Sequence, residues 1–503
     1  MKIVLINPPQ IFGHNQVTAG IVPPLGLMYL AGMIDQEFDK HHNIDIVDAT
    51  GESPYHTYKF GKYMLRGLEF KTILERITED TELIGITNLY SFAFPIVSKL
   101  CEFIKRKNPK VKIVLGGAHV TSMPKDVLES ENVDFVILGE GESATIDLIK
   151  CLESKEDFSK IKGFGYKNEE KTIINSERKF IMDLDTIPFP RRDLIPMKNY
   201  FKSAEPHGTT KYKRWTTMLF SRGCPYQCTF CSTPFIWKRI WRARSAKNVV
   251  DEIEELVKNY GVKEIHFEDE SMMVSKKRMH DFCDELLKRK LNIVWQASNG
   301  IRLDNLDEEV LRKMKESKCT SIILAPESGS PRVLRDIVKK DIKLSDCKKV
   351  VKICNKLKLK TTAYFILGLP GETKEDIKKS IKFSNQLAAL GLDETIFGLF
   401  APFPGCELFN KLLDEKKIVL NDKLYEDLLS VGSYIGAVSW SDITSKEIMK
   451  YQIRGYLSFY IRKVFFHPLK MVRSMINVIK GTQELKTERA INTMIKRYLR
   501  MFL

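Results

Sequence analysis

The chain has no long hydrophobic run. Its apolar stretch from Ile21 to Ile34 is short and broken by Pro23, Pro24, Gly26 and Gly32, which excludes a transmembrane span. MKIVLINPPQ lacks the basic segment and apolar core of a secretory signal. A disulfide framework is missing too. There are 10 cysteines in 503 residues, and most stand alone, as Cys101, Cys151, Cys283 and Cys354 do. A reducing, cytoplasmic compartment is expected. Negative charge is in short supply: 80 lysines and arginines face 64 aspartates and glutamates, a formal charge of +16. That balance favours an anionic partner, such as a phosphorylated substrate, a nucleic acid or the cytoplasmic face of a membrane. No internal repeat recurs at a fixed period.

What is present suffices for several packed cores. Hydrophobic residues make up 43% of a chain too long for one ordinary domain. Apolar runs at Lys2–Asn7, Asn43–Ala49, Leu83–Leu89, Lys112–Gly117 and Phe135–Glu142 read as strands. Ile96 to Lys107 and Ser143 to Leu152 have helical periodicity. Strands alternating with helices predict a doubly wound, Rossmann-like parallel sheet over 1–152, with ligands at the carboxyl ends of its strands. A connector follows over 153–214. It holds a small hairpin around Asn168–Lys171 and the irregular IPFPRRDLIP.

From 215 to 405 strand–helix units repeat. TTMLFS, KEIHFE, NIVWQAS, TSIILA, TTAYFILG and ETIFGLF predict six strands of a partial (β/α)6 barrel with its chemistry at their C-terminal ends. Ser245 is placed to cap a helix that carries Val249, Val250, Ile253, Leu256 and Val257 on one face, and Ser275 to cap the next. The region 406–503 reads as a helical, basic tail. Arg462, Lys463, Lys470, Arg473, Lys480, Arg489, Lys496, Arg497 and Arg500 interleave with Phe459, Tyr460, Phe465, Phe466, Leu499, Met501, Phe502 and Leu503. Such a tail is either packed on the barrel with a solvated basic face or laid on an anionic membrane.

The sharpest chemical signal is SRGCPYQCTFCSTP. Cys224, Cys228 and Cys231 form a Cys-x3-Cys-x2-Cys loop just after a strand. Structural zinc wants four ligands, and no fourth cysteine or histidine lies close by. Three thiolates on a four-iron cube leave one iron open to chelate a molecule that must receive an electron. Phe230 adds an apolar wall.

This motif, its place after the first barrel strand and the six strand–helix units resemble the radical S-adenosylmethionine superfamily. The resemblance implies a redox-active 4Fe–4S cluster on the three cysteines. It also implies S-adenosylmethionine held by segments after the later strands: Glu268 or Asp269 of FEDES for the amino group, Arg302 of SNGIRLD for the carboxylate or ribose, Glu327 and Ser328 of APESGS, and Gly368 and Gly371 of GLPGET beside the adenine. Ala325 stands where glycine is usual, and Cys406 of APFPGCELF replaces a usual threonine.

The N-terminal segments NPPQ, PPLGLMYLAG, LGGAHVTSMP and LGEGE look like the cobalamin-binding domain of many of these enzymes. Asn7, Gly116, Gly117, His119, Gly139, Glu140 and Gly141 are then the expected cobalamin residues. The chain has no Asp-x-His-x-x-Gly motif, so a corrin without a histidine ligand is expected, with His119 as a structural loop residue.

Reductive cleavage of S-adenosylmethionine to a 5′-deoxyadenosyl radical is the implied chemistry. Its expected use is methylation of an unactivated carbon. The alternatives are a cyclase of the Mg-protoporphyrin monomethyl ester type and a cobalamin-binding scaffold or sensor with a vestigial barrel. The implied partners are a small-molecule or lipid substrate, an external electron donor such as flavodoxin or ferredoxin, and a membrane surface met by the tail. A tRNA methylthiotransferase would carry a second cysteine trio, which is missing, so nucleic acid is not expected.

Overall fold

The computed structural model describes residues 1–12, 20–169, 171–203, 206–430 and 438–502, with side chains up to Ile495. The tail residues Lys496, Arg497, Leu499, Arg500, Met501, Phe502 and Leu503 therefore lie outside what is described of side chains.

Seven strands build the first sheet: β1 (Lys2–Asn7), β2 (Asn43–Asp48), β3 (Thr81–Thr87), β4 (Lys112–Gly116), β5 (Phe135–Ile137), β6 (Phe164–Asn168) and β7 (Lys171–Ile174). Their spatial order is β7-β6-β5-β4-β3-β1-β2. β1 to β5 run parallel, and the β6–β7 hairpin closes one edge antiparallel. The hairpin that the sequence places in the connector thus extends this sheet past Leu152. Alternate residues of β1 feed opposite helix layers: Ile3 and Leu5 enter one core, Val4 and Ile6 the other. The order reverses between β1 and β3, the position at which such sheets open a crevice. FVILGEGE yields only a short strand, because Gly139 turns the backbone at φ +72°.

Six further strands follow: β8 (Trp215–Met218), β9 (Glu264–Phe267), β10 (Val294–Ile301), β11 (Cys319–Glu327), β12 (Lys360–Leu367) and β13 (Glu394–Leu399). They pair in chain order, all parallel, and β8 does not close onto β13, which makes a partial barrel. Ser245 and Ser275 cap their helices as expected, accepting from the amides of Asn248 and Arg278.

The tail helix Ser445–Phe466 docks on β13. Gly455 permits this, since a Cβ there would lie 2.8 Å from the Phe397 ring. Gln452 donates to the Phe397 carbonyl at 2.6 Å. The helix Pro468–Lys480 follows, and the last helix, Lys486–Phe502, starts against the β13 carboxylate of Glu394, which accepts from the amide of Thr487 at 2.6 Å. Among the described residues no helix is long and apolar enough to cross a membrane.

Candidate active site

Two chambers sit where the strands of both units end. The first, of about 480 Å³, lies in the barrel mouth. Cys224, Cys228 and Cys231 share its wall with Phe230, Arg302 and Glu327. Among the described residues no three His, Cys, Asp or Glu side chains close around a single metal ion. Three thiols on one loop are the donor set of a four-iron cube with one open iron, whereas structural zinc takes four ligands. Burial pushes the Cys228 thiol up to about 11, with Cys224 and Cys231 also raised, so ligation must displace protons.

Glu327 ends β11 at φ +61°, a left-handed conformation that a non-glycine residue holds only under constraint. The constraint is Lys340, whose ammonium donates to the Glu327 carboxylate at 2.8 Å and to the Ala325 carbonyl at 2.6 Å, all of it buried. Arg302 spans Asp304 and the Asp341 carbonyl and stacks 3.8 Å from the Tyr226 ring centre. The chamber thus pairs fixed positive and negative groups beside the three thiols. That set suits an amino acid zwitterion such as the methionyl end of S-adenosylmethionine.

Other expected residues are not brought to this chamber. Glu268 pairs with His207 at 3.0 Å, and its second oxygen is buried without a partner. Asp269 is buried, receives the amides of Phe220 and Ser221, and has its carboxyl pushed by burial up to about 7. It shapes the approach to the cysteine loop. Ser328 bonds Ser380 at 3.0 Å. Gly368 packs on the tail, where a Cβ would meet Ile448 at 2.7 Å, and Gly371 turns the backbone at φ +81°. The acidic residue of FEDES that does reach the chamber is Glu270, which accepts from the Gly223 amide at 3.1 Å and from the Trp237 indole at 2.9 Å. It lies two residues beyond Glu268 and past the end of β9, where strand alternation no longer assigns a face. Lys340 carried no signal, because it belongs to a lysine-rich loop. Cys406 takes over a helix cap, its sulfur accepting from the Phe409 amide at 3.3 Å.

The second chamber, of about 430 Å³, lies between the first sheet and the barrel. Ile3, Leu5, Leu83 and Val114 give it an apolar floor, and Gly116, Gly117, Gly139 and Gly141 line its rim. A Cβ on Gly116 would meet nothing within 4 Å, and one on Gly139 only Phe180, so open space adjoins the backbone there. The Thr145 hydroxyl is buried in this wall without a partner, which gives an incoming ligand one polar contact. A roomy apolar chamber with a glycine rim fits the flat, bulky cobalamin. Asn7 and His119 do not reach it: Asn7 bonds Asp48 at 2.8 Å, and His119 is buried against Ser91 at 3.0 Å with its pKa lowered by burial to about 4. Glu140 lines the chamber, but its oxygens are engaged by Arg222 at 2.9 Å and Arg242 at 2.8 Å. It clamps sheet to barrel. Thr233 and Glu270 line both chambers, which therefore adjoin.

Comparison with known proteins places this geometry. The Radical SAM superfamily matches residues 218–384, and the B12 binding domain matches 15–149. An uncharacterized methyltransferase of Pyrococcus horikoshii is 31% identical over 92% of this chain and 93% of its own. The chain belongs to the B12-binding radical S-adenosylmethionine enzymes. An anaerobic magnesium-protoporphyrin IX monomethyl ester cyclase of Cereibacter sphaeroides is 26% identical over 93% of this chain and 71% of its own. Among solved structures, the methyltransferase TsrM of Kitasatospora setae, with cobalamin and a [4Fe-4S] cluster bound, shares the fold with a TM-score of 0.66 at 17% identity, covering 82% of this chain and 75% of that one. The enzyme is thus a methyltransferase-like member of this group with a 4Fe–4S cluster, S-adenosylmethionine and cobalamin as its cofactors. The scaffold alternative falls away.

Proposed function

We propose that the enzyme methylates an unactivated carbon of a small-molecule or lipid substrate, with Cys224, Cys228 and Cys231 as the cluster ligands. The observation that carries this reading is the adjoining pair of chambers, one lined by the three thiols and one by the glycine rim, with Thr233 and Glu270 common to both. When bound, the cluster supplies the electron that cleaves S-adenosylmethionine, and cobalamin supplies a carrier for the methyl group. Glu327, Lys340, Arg302 and Glu270 hold the zwitterion of S-adenosylmethionine, and Phe230 and Tyr364 exclude water beside it. Glu140, fixed by two arginines, keeps the chambers in register. An external donor such as flavodoxin or ferredoxin delivers the electron in a reducing cytoplasm, consistent with 10 cysteines of which none forms a disulfide.

The test is anaerobic reconstitution with iron, sulfide and cobalamin, followed by product analysis under reducing conditions. Wild type is expected to yield 5′-deoxyadenosine together with S-adenosylhomocysteine. Cys228→Ala is expected to retain cobalamin and yield neither. Equal 5′-deoxyadenosine from Cys228→Ala overturns the ligand assignment. 5′-Deoxyadenosine without S-adenosylhomocysteine in the presence of substrate overturns methyl transfer in favour of the cyclase-type reaction, which starts from the same hydrogen abstraction.

A further inference from the structure

The tail helices have two apolar faces. Ser445–Phe466 turns Ile448, Gln452, Gly455, Phe459 and Lys463 inward to the barrel. A surface helix docked in this way normally shows water a polar outer face. Here the outer face carries Leu457, Ile461 and Phe465. Pro468–Lys480 repeats the pattern with Leu469, Met475 and Ile479. Leu469 and Ile479 are each 82% exposed and Phe465 78%, values that leave these side chains almost wholly in water. The stripes adjoin, since Tyr460 lines the apolar groove on the first helix and the one between the second and third. Large contiguous apolar patches are rare on monomeric soluble proteins.

Charge identifies the occupant. Between Ile448 and Gln483 there are seven lysines and arginines and no aspartate or glutamate. Lys463 and Lys470 turn inward to Asp393. Lys450, Arg454, Arg462 and Lys480 are exposed beside the apolar stripes. A second copy of the chain would set like charge against like charge. An apolar stripe fringed by cations instead matches an acyl layer beneath anionic headgroups.

We propose that the outer face of the helices Ser445–Phe466 and Pro468–Lys480 seats the enzyme on an anionic lipid bilayer. The face lies close to the barrel. Tyr460 bonds Thr487 at 2.7 Å, and Lys486 bonds Tyr364, which lines the chamber of the three cysteines. A bilayer bound here lies on the barrel's tail side.

Co-flotation of the full chain with vesicles tests this. Phosphatidylcholine vesicles are compared with vesicles that also contain phosphatidylglycerol, at low and high salt. Wild type is expected to float with the anionic vesicles, less so at high salt, and weakly with the neutral ones. The triple variant Phe465→Ser, Leu469→Ser, Ile479→Ser changes only water-exposed side chains, so it is expected to fold, to keep the wild-type circular dichroism spectrum and to reconstitute its iron. Its partition onto anionic vesicles is expected to fall at least about a hundredfold, since each large apolar group withdrawn from an interface forfeits about tenfold or more. Wild type that fails to float at low salt, or a folded triple variant that floats equally well, overturns the proposal. A wild-type dimer that the triple variant dissociates, with no vesicle binding, overturns it in favour of a second copy.

Discussion

Removing the Glu140 carboxylate should loosen the whole molecule. In Glu140→Ala, Arg222 and Arg242 lose their shared acceptor while their side chains are only 9% and 2% exposed. Arg222 keeps Glu142 at 2.7 Å, and Arg242 keeps the Ile181 carbonyl alone. Two guanidinium nitrogens of Arg242 already lack a partner, so the site has no spare acceptor. Breaking a buried pair on one side typically costs about 3–5 kcal/mol, because a charge stays in low dielectric with nothing opposite. That is roughly two to four powers of ten in the folding equilibrium. The assay is urea unfolding followed by circular dichroism and by tryptophan fluorescence. The double variant Glu140→Ala, Arg242→Met completes a cycle. It removes the stranded charge and should regain part of the loss, with a coupling above about 1 kcal/mol. An unfolding midpoint for Glu140→Ala equal to that of wild type, or strict additivity in the cycle, would refute the clamp.

Three further outcomes follow from the site. Burial raises the Glu372 carboxyl from 4.5 to about 8, against the amides of Gly368 and Leu369 that favour its ionised form. An acid raised in this way contributes stability in full below pH 4.5 and loses it as pH climbs to about 8, about 3–5 kcal/mol in all. Glu372→Gln should flatten that decline in urea midpoints measured across the range; an unchanged slope counts against it. Gly117→Ala puts a Cβ 2.6 Å from the Asn88 carbonyl at φ +120°, so it should cost about 1–3 kcal/mol and lower the corrin absorbance retained after gel filtration. Lys340→Met strands the buried Glu327 carboxylate. Calorimetric affinity for S-adenosylmethionine should fall about tenfold or more while bound iron stays at the wild-type level, whereas unaltered affinity would remove Lys340 from the site.

Most strand positions were legible because the central strands of both sheets pair parallel and are buried, so each appears as a bare apolar run. Caps were legible for a local reason: Ser245 and Ser275 serve amides three residues away. Gln10–Phe12, Thr57–Phe60 and Tyr63–Arg66 form a small antiparallel sheet that the sequence did not announce, since short, mixed-polarity strands carry little periodicity. At the site, the cysteine loop was legible as a motif. Phe230, Arg302 and Glu327 were expected in the cysteine chamber and line it. Within FEDES the sequence pointed to Glu268 and Asp269, and Glu270 went unnoticed because all three follow the end of β9, where no strand alternation assigns a face. The roles of Asn7 and Gly368 depend on what packs against them, Asp48 in one case and a tail helix in the other. No local pattern encodes either.

Glu394 makes the tail part of the barrel's internal accounting. Its carboxylate, on a residue 1% exposed, accepts from the Thr362 hydroxyl and from the amides of Lys486 and Thr487. A chain cut before Lys486 would strip the Glu394 carboxylate of both amides and leave it the Thr362 hydroxyl. Truncation therefore reports on the barrel's integrity instead of the tail's purpose. The outer surface of these helices has to be probed one side chain at a time, with the staves of the barrel left whole.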